Sequence, residues 1–207
     1  MVPILCYGRS FTLDVAILDP KKVVHFIELL WADLGRPALE HDIKPPERDI
    51  SSLHEVLVAL IKAFSLGSQY GPKLYLPQDD NTLRRTLFVD LLNAVGGPDS
   101  VTAGGHPAIA ASELVRLGYH VDLLVPYPER RPGLEGVSFI VDGFSVTDPG
   151  TSRKARISLL IRITPGTYVQ LDKEAPIKAQ GSTRVLLVDR TYRPILLKEV
   201  TVHVHAA

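Results

Sequence analysis

Apolar residues in the first 125 positions occur either in short continuous runs or at helical spacing. The opening run VPILCY is continuously apolar, as buried parallel strands are, and a second apolar run follows the polar break that begins at Gly8. Pro20 begins a segment with apolar residues every three or four positions as far as Leu34. This pattern predicts a buried strand, its continuation after a break, and an amphipathic helix.

Capping and breaking residues set the limits of the next elements. Asp49 or Ser51 is predicted to cap a second amphipathic helix that ends near Phe64. The remaining predicted elements are a proline-rich loop over 35–47, a third helix over Asp79–Ala94, a break at Gly96–Pro98, a helix after Gly104 and a short buried strand over Val121–Val125. Strands and helices therefore share this part of the chain.

From Val137 onward the pattern changes to β-rich runs that glycine or proline residues separate, and helical spacing disappears. The boundary falls near Pro128–Gly136. We therefore predict an α/β fold with a core half over residues 1–130 and a mainly β, lid-like unit or appended sheet over residues 131–207. The runs that carry this prediction are VSFIVDGFSVTD, ISLLIRI, TYVQL, RVLLVD and ILLKEVTVHV.

Composition excludes several classes of protein. The 207 residues have a formal net charge of zero and are 45% hydrophobic, which is typical of a globular protein and unlike a disordered or nucleic-acid-coating one. No apolar run is long enough to span a membrane, and no charged-then-apolar leader precedes the first strand. The single cysteine, Cys6, excludes an internal disulfide and is expected to be a small buried residue. We expect a cytoplasmic protein with no membrane partner.

Positive charge is concentrated late in the sequence. From Thr151 onward, ten Lys and Arg residues stand against four Asp and Glu residues. Two interpretations remain open, namely solvated strand faces or a surface that attracts phosphorylated ligands or nucleic acid.

The stretch TAGGHPAIAASELVRLG has the clearest chemical signal. Gly104 and Gly105 permit a sharp turn and leave the backbone N–H groups open to a ligand at the start of a helix. Pro107 suits the first helical position, and Gly118 suits the residue that ends a helix. His106 could donate a hydrogen bond to a ligand or could simply cap the helix. The alternative for the whole stretch is a plain strand-to-helix turn.

Asp14 is the second candidate. An acid after the first strand, in a segment that begins with Gly8, faces the crevice where α/β sheets bind ligands. A carboxylate can accept hydrogen bonds from two hydroxyl groups at once. The alternative is that Asp14 only caps a turn.

His203 and His205 lie two residues apart, so a strand would place both imidazoles on one face. Two imidazoles can bind zinc, but no third ligand is evident nearby and simple alternation with valine explains the pattern. No metal site is therefore predicted from these residues.

The diglycine stretch resembles the substrate-side motif of ribokinase-like sugar kinases, in particular the ADP-dependent glucokinase and phosphofructokinase branch. Its helix differs from the family pattern at Ala111-Ser112, where Ala-Asn is common. The matching positions are Gly104, Gly105, Ile109, Ala111, Leu114, Leu117 and Gly118. The resemblance implies a partial three-layer α/β core with a β lid, the N-terminal half of such a kinase.

The resemblance also implies a role for the first polar segment. In the family that segment reads Gly-x-Asn-x-Asn-x-Asp, and its aspartate binds the sugar. Here Gly8 and Asp14 keep the spacing, and Ser10 and Thr12 replace the two asparagines. The implied ligand is a small sugar or sugar phosphate, held by Ser10, Thr12, Asp14, Gly104, Gly105 and His106.

The catalytic segment of the family, Gly-Ala-Gly-Asp, does not occur in this sequence, and neither does a Walker-type phosphate loop. The resemblance therefore implies a kinase-like chain that is inactive alone and uses ADP with Mg²⁺ only if a second half completes it. A homodimer or partner chain is expected, since a sheet cut at its edge exposes unpaired strand groups. The alternatives are a non-catalytic sugar-binding or sugar-phosphate-binding protein and, less favoured by the composition, a small nucleic-acid-binding protein.

Overall fold

The computed structural model describes residues 2–35, 44–77, 80–126, 128–150, 156–173 and 175–189. These residues form two compact units. The first unit contains residues 2–14 and 101–157, and the second contains residues 15–100 and 158–189. This division follows compactness; the sequence-based division at residue 130 concerns the roles of two parts of the chain and remains a prediction.

The first unit contains a four-stranded sheet. In spatial order its strands are β1 (Ile4–Tyr7), β5 (Val121–Leu124), β6 (Ser138–Val141) and β7 (Phe144–Val146). Strand β1 pairs in parallel with β5, which pairs in parallel with β6, whereas β6 and β7 form an antiparallel hairpin. Helix α5 (His106–Arg116) packs on β1 and β5.

The core of the first unit is small and continuous. Its buried side chains come from β1, α5, β5, β6 and the segments beside them, and they are Cys6, Phe11, Ala108, Ala111, Val121, Leu123, Val125, Leu134, Val137 and Phe139. Cys6 is buried, as its apolar neighbours predict, and this burial raises the pKa of its thiol.

A second sheet has five strands. In spatial order they are β3 (Lys73–Leu76), β11 (Thr183–Asp189), β8 (Arg156–Ile163), β2 (Thr12–Ile17) and β4 (Ser100–Gly104). Strand β11 pairs in parallel with β3 and antiparallel with β8. The chain passes from one unit to the other within β2, within β4 and within β8.

The second unit contains two long helices at the amphipathic segments, which confirms the prediction of helices there. Helix α1 (Pro20–Asp33) begins at the predicted proline, and Asp19 caps it by accepting a hydrogen bond from the Lys21 N–H. Helix α2 (Leu53–Leu66) is capped by Ser52, so the predicted cap at Asp49 or Ser51 is wrong. Ser52 is the cap because it lies three residues before Glu55, whose N–H donates to the Ser52 hydroxyl. The Glu55 carboxylate in turn accepts the Ser51 N–H, in an arrangement close to a capping box.

The third predicted helix is present but not uniform. It consists of α3 (Asn81–Arg85), a π-helical turn over Thr86–Asp90 and α4 (Leu91–Ala94), and Gly96 and Gly97 follow with positive φ. A short hairpin, β9 (Tyr168–Val169) with β10 (Ile177–Lys178), completes the described strands. The β-rich runs from Val137 to Asp189 are thus confirmed, whereas ILLKEVTVHV lies outside the described residues.

No helix within the described part of the chain combines the length and the apolar composition that a membrane span requires.

Candidate functional site

The diglycine connects β4 to α5 in the first unit. Gly104 is the last residue of β4, and Gly105 is the N-cap of α5 with φ 91° and no side-chain cap. Pro107 is the second helical residue and not the first, and Gly118 follows the helix with φ 89°. The Gly118 N–H donates to the Val115 carbonyl at 2.8 Å, which ends the helix as the sequence predicts.

Asp14 lies directly against Gly104. A Cβ placed on Gly104 would overlap the Asp14 carboxylate, including both of its oxygens. The carboxylate therefore occupies the space that any side chain at position 104 would need. The two sequence candidates, 90 positions apart in the chain, meet in one place.

The second glycine is required for a different reason. A Cβ on Gly105 would overlap the carbonyl oxygen of Ser10 and would come within 3.1 Å of its Oγ. Gly8 adds a third close approach, since its Cβ would lie 3.1 Å from Cγ of Pro107. The segment from Gly8 to Asp14 therefore lies along the start of α5, and bare backbone makes this contact possible.

Thr12 supports the aspartate. Its Oγ1 donates a hydrogen bond of 2.7 Å to Oδ1 of Asp14, and its side chain is buried. This bond holds the carboxylate in one orientation. Direct contact of Thr12 with a ligand remains a prediction.

His106 is exposed at the first position of α5. The structure thus brings Ser10, Thr12, Asp14, Gly104 and Gly105 together and places His106 immediately after them in the chain. The ligand-binding roles of these six residues remain predictions.

Arg131 is a residue of the site that sequence reasoning missed. It is almost fully buried, and its Cζ lies 4.0 Å from the centroid of the Phe11 ring. The Arg131 Nη2 and Nε approach Oε2 of Glu129 at 3.2 and 3.4 Å. Burial lowers the pKa of the guanidinium, while the carboxylates of Glu129 and Asp14 act to raise it. Arg131 therefore lies within the electrostatic range of the candidate aspartate.

The only sequence signal for Arg131 is a pair of arginines after strand β5, in a segment whose prolines and glycines suggest a linker. The neighbouring Arg130 has a structural role, because it donates to the carbonyls of Leu134, Val137 and Thr147. Arginines of this kind cannot be told apart before the burial of each is known.

A cavity of about 400 Å³ lies beyond the carboxyl ends of β1 and β5. Its lining is mainly apolar and comprises Tyr7, Gly8, Arg9, Leu124, Val125 and Pro126. It adjoins the segment that carries Asp14, and it occupies the position at which parallel sheets commonly bind ligands.

Metal-binding chemistry is not evident at this site. Within the described ranges, no three His, Cys, Asp or Glu side chains form a group that could hold a metal ion. His203 and His205 lie outside the described residues.

No protein-family model matches the sequence. No curated protein matches it significantly either. Among solved structures, the fold is similar to that of a hypothetical ADP-dependent phosphofructokinase from Pyrococcus horikoshii OT3, with a TM-score of 0.56 and 17% identity. That match covers 92% of this chain and 42% of the other.

Two further solved structures have a fold similar to that of this chain. A phosphofructokinase from Pyrococcus horikoshii OT3, solved with AMP, matches with a TM-score of 0.53 at 16% identity over 92% of this chain and 42% of its own. An ADP-dependent kinase in complex with fructose-6-phosphate and ADPβS matches with a TM-score of 0.54 at 14% identity over 91% and 35%. This chain thus spans about two fifths of the length of these kinases, and its fold is a partial ribokinase-like fold, as predicted.

Proposed function

We propose that this chain is the sugar-binding half of an ADP-dependent-type sugar kinase and that Asp14 holds a small sugar or sugar phosphate. The observation that carries the proposal is the packing of the Asp14 carboxylate against the bare backbone of Gly104, at the start of α5. A carboxylate fixed in this way can accept hydrogen bonds from sugar hydroxyls, and Thr12 fixes its orientation. Ser10, Gly105 and His106 complete the proposed contacts.

Transfer of phosphate requires groups that this sequence does not contain. Phosphoryl transfer depends on positioning and on stabilisation of charge, and the Gly-Ala-Gly-Asp segment that supplies these in the family is absent here. The isolated chain should therefore bind sugar without phosphorylating it. ADP and Mg²⁺ would bind only in an assembly with a polypeptide that supplies the missing segment. We propose a cytoplasmic location, because a single cysteine cannot form the internal disulfides that are common in secreted proteins.

The exposed edge of strand β1 supports the proposal that this chain binds a partner. It is the edge strand of its sheet, and no described strand pairs with its outer side. Its exposed apolar side chains include Leu5 and Tyr7, which are 53% and 75% exposed. An apolar edge of this kind favours pairing with another strand. We propose that another polypeptide covers it and that, for the isolated chain, this is a second copy.

Calorimetric titration with glucose, fructose and their 6-phosphates tests the proposed site. At least one of these probes should bind and raise Tm, and Asp14→Asn should weaken binding about tenfold, the loss expected for a charged hydrogen bond. Asp142→Asn is the matched control, since Asp142 lies in the exposed β6–β7 turn.

Mixing the chain with the bound sugar, ADP and Mg²⁺ should yield no sugar phosphate. Failure of every probe to bind, or equal binding by Asp14→Asn, would contradict the site. Turnover by the purified chain would contradict its dependence on a second half.

A further inference from the structure

Arg131 has a hydrogen-bond donor that the described structure does not use. Its side chain is 3% exposed, and its Nη1 is buried with no hydrogen-bond partner among the described residues. An unsatisfied buried donor is costly, and native proteins usually satisfy such groups with protein, ordered water or a ligand. Nη1 is therefore a donor for which the described residues supply no acceptor.

The guanidinium is held in place for such a contact. Glu129 accepts from Nε and Nη2, while the ring of Phe11 stacks on the guanidinium plane at 4.0 Å. Arg is rigid at its planar end, so fixing two nitrogens also fixes the third. The direction of the Nη1 donor is therefore fixed before any ligand binds.

The donor and the candidate carboxylate are supported by one short segment. Phe11 stacks on Arg131, and Thr12 donates to Asp14. The Asp14 carboxylate also lies near enough to act electrostatically on the guanidinium. The donor and the acceptor are therefore neighbours that the same short segment supports.

The charges around Arg131 indicate what kind of oxygen it receives. Glu129 and Asp14 both act on the guanidinium, so one positive charge already faces two negative charges. A phosphate at Nη1 would bring further negative charge beside both carboxylates. A hydroxyl would not, and its oxygen would accept from Nη1.

We propose that Arg131 Nη1 donates to one hydroxyl of the bound sugar while Asp14 accepts from another. This proposal rests on the proposed sugar site and deepens it by naming a specificity-determining residue and a ligand with two neutral hydroxyls. The site then combines one donor and one acceptor.

Calorimetric titration of Arg131→Lys with D-glucose and D-fructose tests this assignment. Lysine keeps the charge and can pair with Glu129, but it has no second nitrogen to offer a ligand. The affinity for the hexose that binds the unaltered protein should fall about tenfold. Arg116→Lys, on the exposed face of α5, is the matched control and should change the affinity less than twofold.

Inorganic phosphate serves as the anion probe in the same titration and should not displace the hexose. Unchanged hexose affinity in Arg131→Lys would overturn the contact. Displacement by phosphate in the unaltered protein but not in Arg131→Lys would overturn the preference for a neutral oxygen. If neither hexose binds the unaltered protein but one of the 6-phosphates does, this inference fails and the proposed sugar site stands. If none of the four probes binds, sugar binding itself fails, and this inference fails with it.

A series of monodeoxyhexoses tests the same pair in the unaltered protein, in case Arg131→Lys does not fold. Removing either of two hydroxyls should weaken binding about tenfold. A loss at one position only would leave Arg131 without a ligand and overturn the proposal.

Discussion

At the scale of single residues, three glycines at the two ends of α5 lack a side chain for different reasons. Gly104 has no positive φ, yet a Cβ there would overlap Asp14. Gly105 combines φ 91° with an overlap on the Ser10 carbonyl. Gly118 has φ 89° with no atom within 4 Å of its Cβ position. A comparison of the three glycines therefore distinguishes the cost of steric overlap from the cost of a left-handed backbone.

Alanine at each of these glycines should lower the free energy of unfolding by different amounts. Gly118→Ala should cost about 1–2 kcal/mol, because only the left-handed backbone is penalised. Gly105→Ala should cost more than Gly118→Ala, because backbone must also move. Gly104→Ala should displace the Asp14 carboxylate and weaken sugar binding, an effect that Gly118→Ala lacks.

Denaturant unfolding and calorimetric titration of the three variants measure these differences. Equal costs at positions 105 and 118 would show that the contact with Ser10 contributes nothing. Unchanged sugar binding in Gly104→Ala would contradict the proposal that Gly104 contributes to the sugar site.

Single residues were predictable where local chain geometry demands them. Gly105 could be found because the start of a helix after a strand often needs a residue that tolerates positive φ, and the carboxylate could be found because it follows the first strand. Arg131 could not be found, because its importance lies in burial and in a donor left without a partner. Neither property is visible before the chain folds.

At the scale of elements, Asp99 fixes the start of α1. Its Oδ2 accepts the N–H groups of Leu18 and Asp19 at 2.7 and 2.8 Å, and its Oδ1 pairs with Lys22 Nζ at 2.7 Å. Burial raises the pKa of this carboxyl, but the combined hydrogen bonds and the charge of Lys22 outweigh it and lower the pKa. The ionised form of Asp99 therefore stabilises the folded protein.

Asp99→Asn should lower the free energy of unfolding by about 1–2 kcal/mol at pH 7, because two charged hydrogen bonds and an ion pair are weakened. The folded-state pKa lies below the unfolded value of about 3.9, so the stabilisation is complete above that pH. It is lost as pH falls through the lower folded-state value.

Chemical denaturation across pH 2–7 (roughly the range in which aspartate titrates) should therefore show the difference between the unaltered protein and Asp99→Asn shrinking in acid. Asp33→Asn, at the exposed end of the same helix, controls for the general effect of removing a charge. A difference that stays constant with pH would contradict the role of the Asp99 charge.

Most elements could be predicted because apolar spacing determines which face of a helix or strand is buried. Errors fell at element ends, within one helix and in the burial of β1, which the continuous apolar run predicts to be buried but whose apolar side chains are mostly exposed. Three capping residues, Asp49, Ser51 and Ser52, stand close together, and only the position of Glu55 selects Ser52. The π-helical turn over Thr86–Asp90 has no signal in the spacing, since one extra residue per turn is set by packing.

At the scale of the molecule, the edge of β1 should govern association. The isolated chain is expected to sediment as a dimer, and Leu5→Lys should shift it to a monomer because a charge blocks pairing at an apolar edge. Leu124→Lys is the matched control, since Leu124 is 43% exposed on β5, which lies between β1 and β6. A monomer at every protein concentration, or equal effects of both lysines, would contradict pairing through β1.

The order of strands and helices predicted the class of fold, and the solved structures confirm it as partly ribokinase-like. The membership of the two compact units could not be predicted, because residues 14 and 101 join one unit through contacts distant in sequence. The local spacing of apolar and polar residues does not indicate which distant segments of the chain contact each other.

The interleaving of the two units limits how this protein can be divided. Neither unit is one continuous stretch, so no single proteolytic nick or gene-splitting event can release either as an intact body. A fragment ending at residue 130 would lack β6 and β7 of the first sheet and β8 and β11 of the second. Insertions and fusions are therefore better tolerated at surface turns such as Asp142–Gly143 than at the midpoint of the sequence.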